Sequence, residues 1–236
     1  TNPDQDACAA RRVAWLRANQ AAGVRTKVAL LGERPAGFAY VLPIELSPWG
    51  PCGRDLLVIP CLYVNPDAEK QGVGQALVEA AEAEVERQAR KGLCVMANNH
   101  EAWFMPQGYF EAQGFEIVTQ RGVEAILWRC REPGAEPPKL LEPSYAFRAI
   151  RDRVVVDLFW NRFCLSSEVE AKRVREVAAE FGDRVVLNEH EACDPQEFAC
   201  HQLPRAIYIQ GARMDWGYEA PREGIRQALK EAVAIL

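Results

Sequence analysis

Leu56-Leu57-Val58-Ile59-Pro60-Cys61-Leu62-Tyr63-Val64-Asn65-Pro66-Asp67-Ala68-Glu69-Lys70-Gln71-Gly72-Val73-Gly74-Gln75-Ala76-Leu77 is the stretch on which the reading of this chain turns. It begins as an apolar run that suits a buried strand, and a Pro-led turn then stops it. From Val73 the period changes: Val73, Leu77, Ala80, Ala81 and Val85 recur on one face of a helix. A glycine pair at the start of a helix leaves backbone N–H groups pointing outward, without intrahelical partners, at the positive end of the dipole. Such a junction suits an anion, and a pyrophosphate can be held there without dedicated side chains. Lys70 and Gln71 add donors at the rim, ahead of Gly72, Val73, Gly74 and Gln75. A lone G-x-G also serves plain turns. The dinucleotide fingerprint fits less well, because Leu77 stands where it needs a third small residue, and the Gly-Lys-Ser/Thr of a P-loop is absent.

Composition bounds what surrounds this junction. A chain of 236 residues, 49% hydrophobic and 26% charged, holds one large globular domain or two small ones. Its net charge of −5 argues against nucleic acid as a partner, because phosphate neutralisation needs a basic face. No apolar run reaches membrane-spanning length, so no membrane partner is expected. Eight cysteines without a C-x-x-C pair, and no secretory signal, point to a reducing cytoplasm.

Outward from the junction, Asp6–Ala21 reads as a helix with Ala9, Val13 and Leu16 inside and Arg11, Arg12 and Arg17 toward water. Two strands, Arg25–Leu31 and Gly37–Ile44, flank a hairpin turn at Gly32–Ala36. Leu93–Ala97 is a further strand, Trp103–Gln113 a helix stopped by Gly114, and Phe115–Thr119 and Val123–Arg129 the closing strands. Glu132-Pro133-Gly134-Ala135-Glu136-Pro137-Pro138 propagates neither helix nor sheet and marks a boundary. Beyond it come a strand (Arg153–Phe159), a helix (Ser167–Phe181), a strand (Val185–Asn188), a short helix (Gln196–Leu203), a strand (Ala206–Gln210) and a last helix (Arg222–Ala234).

The strand, turn and Gly72-Val73-Gly74 together resemble the acyl-CoA loop of the GNAT acetyltransferase superfamily, Gln/Arg-x-x-Gly-x-Gly/Ala, and Tyr109-Phe110-Glu111-Ala112-Gln113-Gly114-Phe115 resembles that family's last-helix signature. Glu69 departs from it, standing where the family has Gln or Arg. After the boundary, Phe159-Trp160-Asn161-Arg162-Phe163-Cys164-Leu165-Ser166-Ser167 resembles the active-site run of thioredoxins, with Ser167 in place of the second cysteine. Leu203-Pro204 sits where that family carries a cis-proline. The whole arrangement is similar to bacterial GNAT proteins with a YoaP-type C-terminal domain. The implied fold is α/β (α+β): a GNAT domain over 1–131 lacking its first strand, a Pro-rich linker over 132–146 and a smaller thioredoxin-like domain over 147–236.

This resemblance implies an N-acetyltransferase acting on a small-molecule or peptide amine, with acetyl-CoA as cosubstrate, no metal, and a homodimer as an allowed assembly. The backbone of Cys61, Leu62 and Val64 would bind the pantetheine arm, and Lys70, Gln71, Gly72, Val73, Gly74 and Gln75 the pyrophosphate. The family's acid, a Tyr, falls on Phe110, which leaves Tyr109 next door as either the donor or a packing residue. His100, Glu101 and Glu45 are candidate bases or plain loop residues, and Trp49 and Trp103 either wall the cleft or pack. Cys164 opens a helix, which favours thiolate, yet it could equally be a small buried hydrophobe. Cys8 and Cys52 lie in segments that read as exposed. The alternative is a non-catalytic acyl-CoA-binding or thiol-sensing protein.

Overall fold

In the computed structural model, which describes residues 3–100 and 104–236, contacts divide the chain into two compact units: Ala18–Leu141, and Thr1–Arg17 with Glu142–Leu236. The first unit is a six-stranded mixed sheet of β1 (Arg25–Leu31), β2 (Arg34–Pro43), β3 (Leu57–Val64), β4 (Gly92–Asn98), β5 (Glu116–Arg121) and β6 (Glu124–Cys130). The strand order is β1-β2-β3-β4-β6-β5, and only β3 and β4 run parallel. A parallel pair needs a crossover, and the amphipathic helix α2 (Val73–Arg87) supplies it. Val73, Leu77, Ala81 and Val85 of α2 share one core with Leu57 and Ile59 of β3 and Leu93 and Val95 of β4. Glu84, fully buried, is held by Arg25 at 3.1 Å, by Lys27 at 3.3 Å and by Arg87, so its charge enters the interior with cations around it.

The helix expected over Trp103–Gln113 is shorter, α3 (Gln107–Ala112). Pro106 occupies its N-cap and Met105 has φ 56°, so no helix runs through them, and Asn98 of β4 bridges to Pro106 instead. Gly114, at φ 81°, ends the helix in the left-handed conformation glycine supplies.

The second unit holds α1 (Pro3–Ala18), β7 (Val154–Trp160), α4 (Leu165–Ala179), β8 (Val185–Glu191), α5 (Pro195–His201), β9 (Ala206–Ile209), β10 (Ala212–Arg213) and α6 (Arg222–Ala234). Its sheet runs β10-β9-β7-β8, with β7 and β8 parallel and the other pairs antiparallel. Val154, Val156, Leu158 and Trp160 point from β7 into a core with α4 and α6, and the alternate residues Asp157 and Phe159 face Tyr145, Tyr208 and His190.

Helix α1 begins and ends three residues earlier than expected and packs with this second unit. Cys8 and Leu16 are its buried residues, whereas Val13 is 43% exposed. Arg11, expected in water, donates through Nε to Glu168 at 2.6 Å, and Trp15 meets Phe163 edge-on. The Leu203–Pro204 peptide, expected cis, is trans; the cis peptide among the described residues is Gly50–Pro51. None of the eight cysteines is in a disulfide, and no helix among the described residues is long and apolar enough to cross a membrane.

Candidate functional site

β3 pairs with β4 only where Leu57–Ile59 faces Leu93–Val95, and Pro60, with no N–H to donate, is the first residue past that stretch. Along its other edge β3 remains on β2 to Val64, and Asn65 N then donates to Ala36 O at 2.8 Å. Alternation therefore turns Cys61 and Tyr63 toward β2, and Leu62 and Val64 toward the unpaired edge. Leu62 N–H meets Met105 Sδ there at 3.3 Å, a weak acceptor. Of the three backbone positions expected on a bound arm, Leu62 and Val64 thus face the open edge and Cys61 does not. No pattern in the residues pointed to Met105.

Beyond Asn65, a single turn (Pro66–Ala68) leads to two left-handed residues, Lys70 at φ 59° and Gly72 at φ 78°. Gly72 is the N-cap of α2 and has no side chain to cap it, so the N–H groups of Val73, Gly74 and Gln75 lack both intrahelical and capping partners. Lys70, Gln71, Gly72 and Gln75 are exposed and Val73 is buried. Gln71 Nε2 donates to Asp67 O and Gln75 Nε2 to Glu79 Oε1, each at 2.9 Å, so both side chains have local partners and the backbone is what faces outward.

The second glycine has a different task. A Cβ at Gly74 would lie 2.5 Å from Tyr109 Oη, so only glycine lets the α3 tyrosine come this close to the first turn of α2. That hydroxyl is buried with no hydrogen-bond partner among the described residues, and burial pushes its pKa above the ordinary tyrosine value. It holds its proton at neutral pH. Phe110 is fully buried, edge-on to Tyr109 and to Phe115, so it belongs to the core.

His100 lies exposed in the turn after β4, its N–H donating to Asn98 O at 2.8 Å. Glu45 is tied down: it accepts Asp55 N–H at 2.7 Å and pairs with Arg90 at 3.2 Å. Trp49 is half-buried, and Glu101 and Trp103 lie outside the described residues.

In the second unit, Cys164 is the half-buried N-cap of α4. Its N–H donates to Asn161 Oδ1 at 2.7 Å, Asn161 Nδ2 donates to Pro204 O at 2.8 Å, and Asn161 N–H donates to Ser167 Oγ at 3.0 Å. Ser167 therefore carries a structural bond where a redox pair would have its second sulfur. Burial pushes the thiols of Cys8 and Cys94 up, and that of Cys193 to about 12. Cys8, read as exposed from sequence, is fully buried.

Residues 2–115 match the acetyltransferase (GNAT) family, a stretch that begins with α1 although α1 packs with the second unit. No curated protein matches the chain. Among solved structures it is similar to the PaiA N-acetyltransferase of Thermoplasma acidophilum in complex with coenzyme A, at 13% identity over 48% of this chain and 64% of that one, with TM-score 0.39. It is also similar to an acetyltransferase from Thermus thermophilus (18% identity, 45% and 64% covered, TM-score 0.37). A third is the ribosomal-protein-alanine N-acetyltransferase of Brucella melitensis (21%, 50% and 76%, TM-score 0.40). The chain thus spans 64% of the length of the first two. The family match covers the parallel strand pair and the glycine-opened helix between them, so residues 2–115 are where this chain is similar to the GNAT acetyltransferases.

Proposed function

We propose that this protein transfers the acetyl group of acetyl-CoA to the amine of a small molecule or peptide. The observation that carries the reading is the orphaned Tyr109 hydroxyl, buried against Gly74 beside the uncapped amides of α2. An anion-binding turn and a protonated hydroxyl at one helix start fit a thioester carried on a pyrophosphate-bearing cosubstrate. The amides of Val73, Gly74 and Gln75, with Lys70 at the rim, hold the pyrophosphate, and Leu62 and Val64 offer the open strand edge to the arm. Tyr109 Oη donates a proton to the departing thiolate, and His100 is the proposed acceptor for the amine's proton. Orientation by the backbone carries most of the rate, because a thiolate leaves partly unassisted.

The second unit is proposed as a thioredoxin-like, YoaP-type module for substrate or partner binding. The support is its strand order, β8-β7-β9-β10, with the parallel pair on one side and Cys164 at the start of the helix after the central strand.

The test is acetyl-CoA-dependent release of free thiol over a panel of amines, alongside calorimetric titration with CoA. Binding with turnover supports the reading; no binding at millimolar CoA sinks it. Binding without release by any amine moves the protein to the non-catalytic acyl-CoA binder that Glu69 favours.

A further inference from the structure

Two of the chain's three histidines meet in the second unit, and neither has a role in the acetyl transfer proposed above. His190 is on β8, and Glu197 and His201 are one turn apart on α5. The local sequence brings them together. Asp194 caps α5 by accepting Gln196 N at 2.8 Å and Glu197 N at 3.4 Å, and Pro195 occupies the first turn, so the helix folds back on β8 directly after a short turn.

His190 Nδ1 is 3.0 Å from Glu197 Oε2, His201 Nε2 is 4.0 Å from the same oxygen, and one ligand atom from each residue lies within 4.8 Å of the others. A tetrahedral ion about 2.0–2.1 Å from its ligands holds them about 3.3 Å apart, so side-chain shifts of about an ångström close the set.

The surroundings also orient the ligands. His201 Nδ1 sits 3.1 Å from Ser144 O, which can only accept, so this nitrogen donates and Nε2, on the Glu197 side, is the atom a neutral ring would offer to a metal. Ser144 is fixed in turn, its N–H donating to His201 O at 2.8 Å. Phe159 backs both imidazoles, stacked on His190 at 4.6 Å and edge-on to His201 at 5.1 Å. The rings remain 26% and 28% exposed, open to an ion from solvent.

We propose that His190, Glu197 and His201 bind a divalent transition-metal ion of the zinc class. Two imidazoles and one carboxylate match the ligand preferences of zinc over those of calcium or magnesium, and three protein ligands leave a position for water or an external ligand.

The test uses the full chain, freed of metal by chelator dialysis and titrated with zinc chloride by calorimetry, with cobalt(II) absorption as the geometric readout. One ion per chain is expected, with a low-symmetry cobalt spectrum and a zinc-dependent rise in Tm. Glu197→Gln and His201→Gln should each weaken binding by at least ~10-fold, with circular dichroism unchanged, while His100→Gln leaves it intact. Absence of binding at ~100 µM zinc, or binding that survives both ligand substitutions, overturns the proposal and leaves the cluster a hydrogen-bond knot. Because the readouts are binding, spectrum and Tm, they stand apart from acetyl transfer.

Discussion

The chain makes the same local move twice, a buried strand running through a turn into a helix, and finishes it with different residues at the N-cap. After β3 the helix opens on Gly72, which has no side chain, and its first amides have neither intrahelical nor capping partners. After β7 the helix opens on Cys164, and Asn161 takes up that amide and at the same time grips Pro204 O. Neither helix has a side-chain cap; the second junction differs in being tied to Pro204 through Asn161 and in carrying a sulfur atom at its N-cap. Secondary structure alone does not tell these junctions apart; the N-cap residue and the bonds Asn161 makes do.

Four substitutions and one labelling experiment bear on this contrast. Gly74→Asp, which puts both a side chain and a negative charge into the open junction, should lower CoA affinity by more than ~100-fold in calorimetry, well beyond a dipole effect alone. Affinity kept within tenfold would mean that the amides of α2 hold nothing.

Tyr109→Phe should lower turnover by ~10-fold to 100-fold with CoA affinity unchanged, as general-acid assistance predicts. The same change should raise the unliganded protein's stability by about 1 kcal/mol, since it removes a buried hydroxyl without a partner among the described residues. Because burial raises the folded-state pKa of Tyr109, the folded protein binds this proton more tightly than the unfolded chain. The corresponding stability is intact below the ordinary value and is lost as pH rises past it, so the alkaline fall in turnover should begin only above pH ~10. Unchanged turnover in Tyr109→Phe returns the residue to packing.

At the second junction, Asn161→Ala strands a Cys164 N–H and a Pro204 carbonyl, and should cost the second unit about 2 kcal/mol in denaturant unfolding. CoA affinity should not move, and a parallel loss would blur the distinction between the two junctions.

Cys164 should alkylate ahead of Cys8, Cys94 and Cys193 at mildly acidic pH, because burial holds those three thiols protonated. Peptide mapping with Cys193 labelled first would make Cys164 a packing residue. The smallest effect is expected from Met105→Leu, which frees Leu62 N–H from a weak sulfur acceptor and should tighten CoA binding by about two- to threefold.

Sequence was most legible where a pattern had hard stops. β1 and α6 occupy the residues their periodicity indicated, bounded by glycine and proline. The open junction was legible as well, since glycines at a helix start carry their own physical meaning. Tyr109 against Phe110 was not, being a question of helix phase: α3 had to be shortened by Pro106 before it was clear which ring enters the core and which reaches Gly74. Leu62's partner was hidden for a similar reason, because Met105 reaches it from 43 positions away along the chain. The cluster on β8 and α5 did leave a local trace, a Glu and a His at i, i+4 behind a strand-borne His.

The unit to which α1 belongs is split along the chain, with all of Ala18–Leu141 between its two parts. In a cell that separation is a delay. Arg11 and its carboxylate partner Glu168 are 157 positions apart, which at a synthesis rate of about 5–20 residues per second is roughly 8–30 s. For that interval Arg11 has been made and Glu168 has not, nor for most of it has Phe163, the ring that Trp15 meets. By then Ala18–Leu141 has been synthesised whole, so the order of folding follows the order of synthesis for the inserted unit and reverses it for the helix that precedes it.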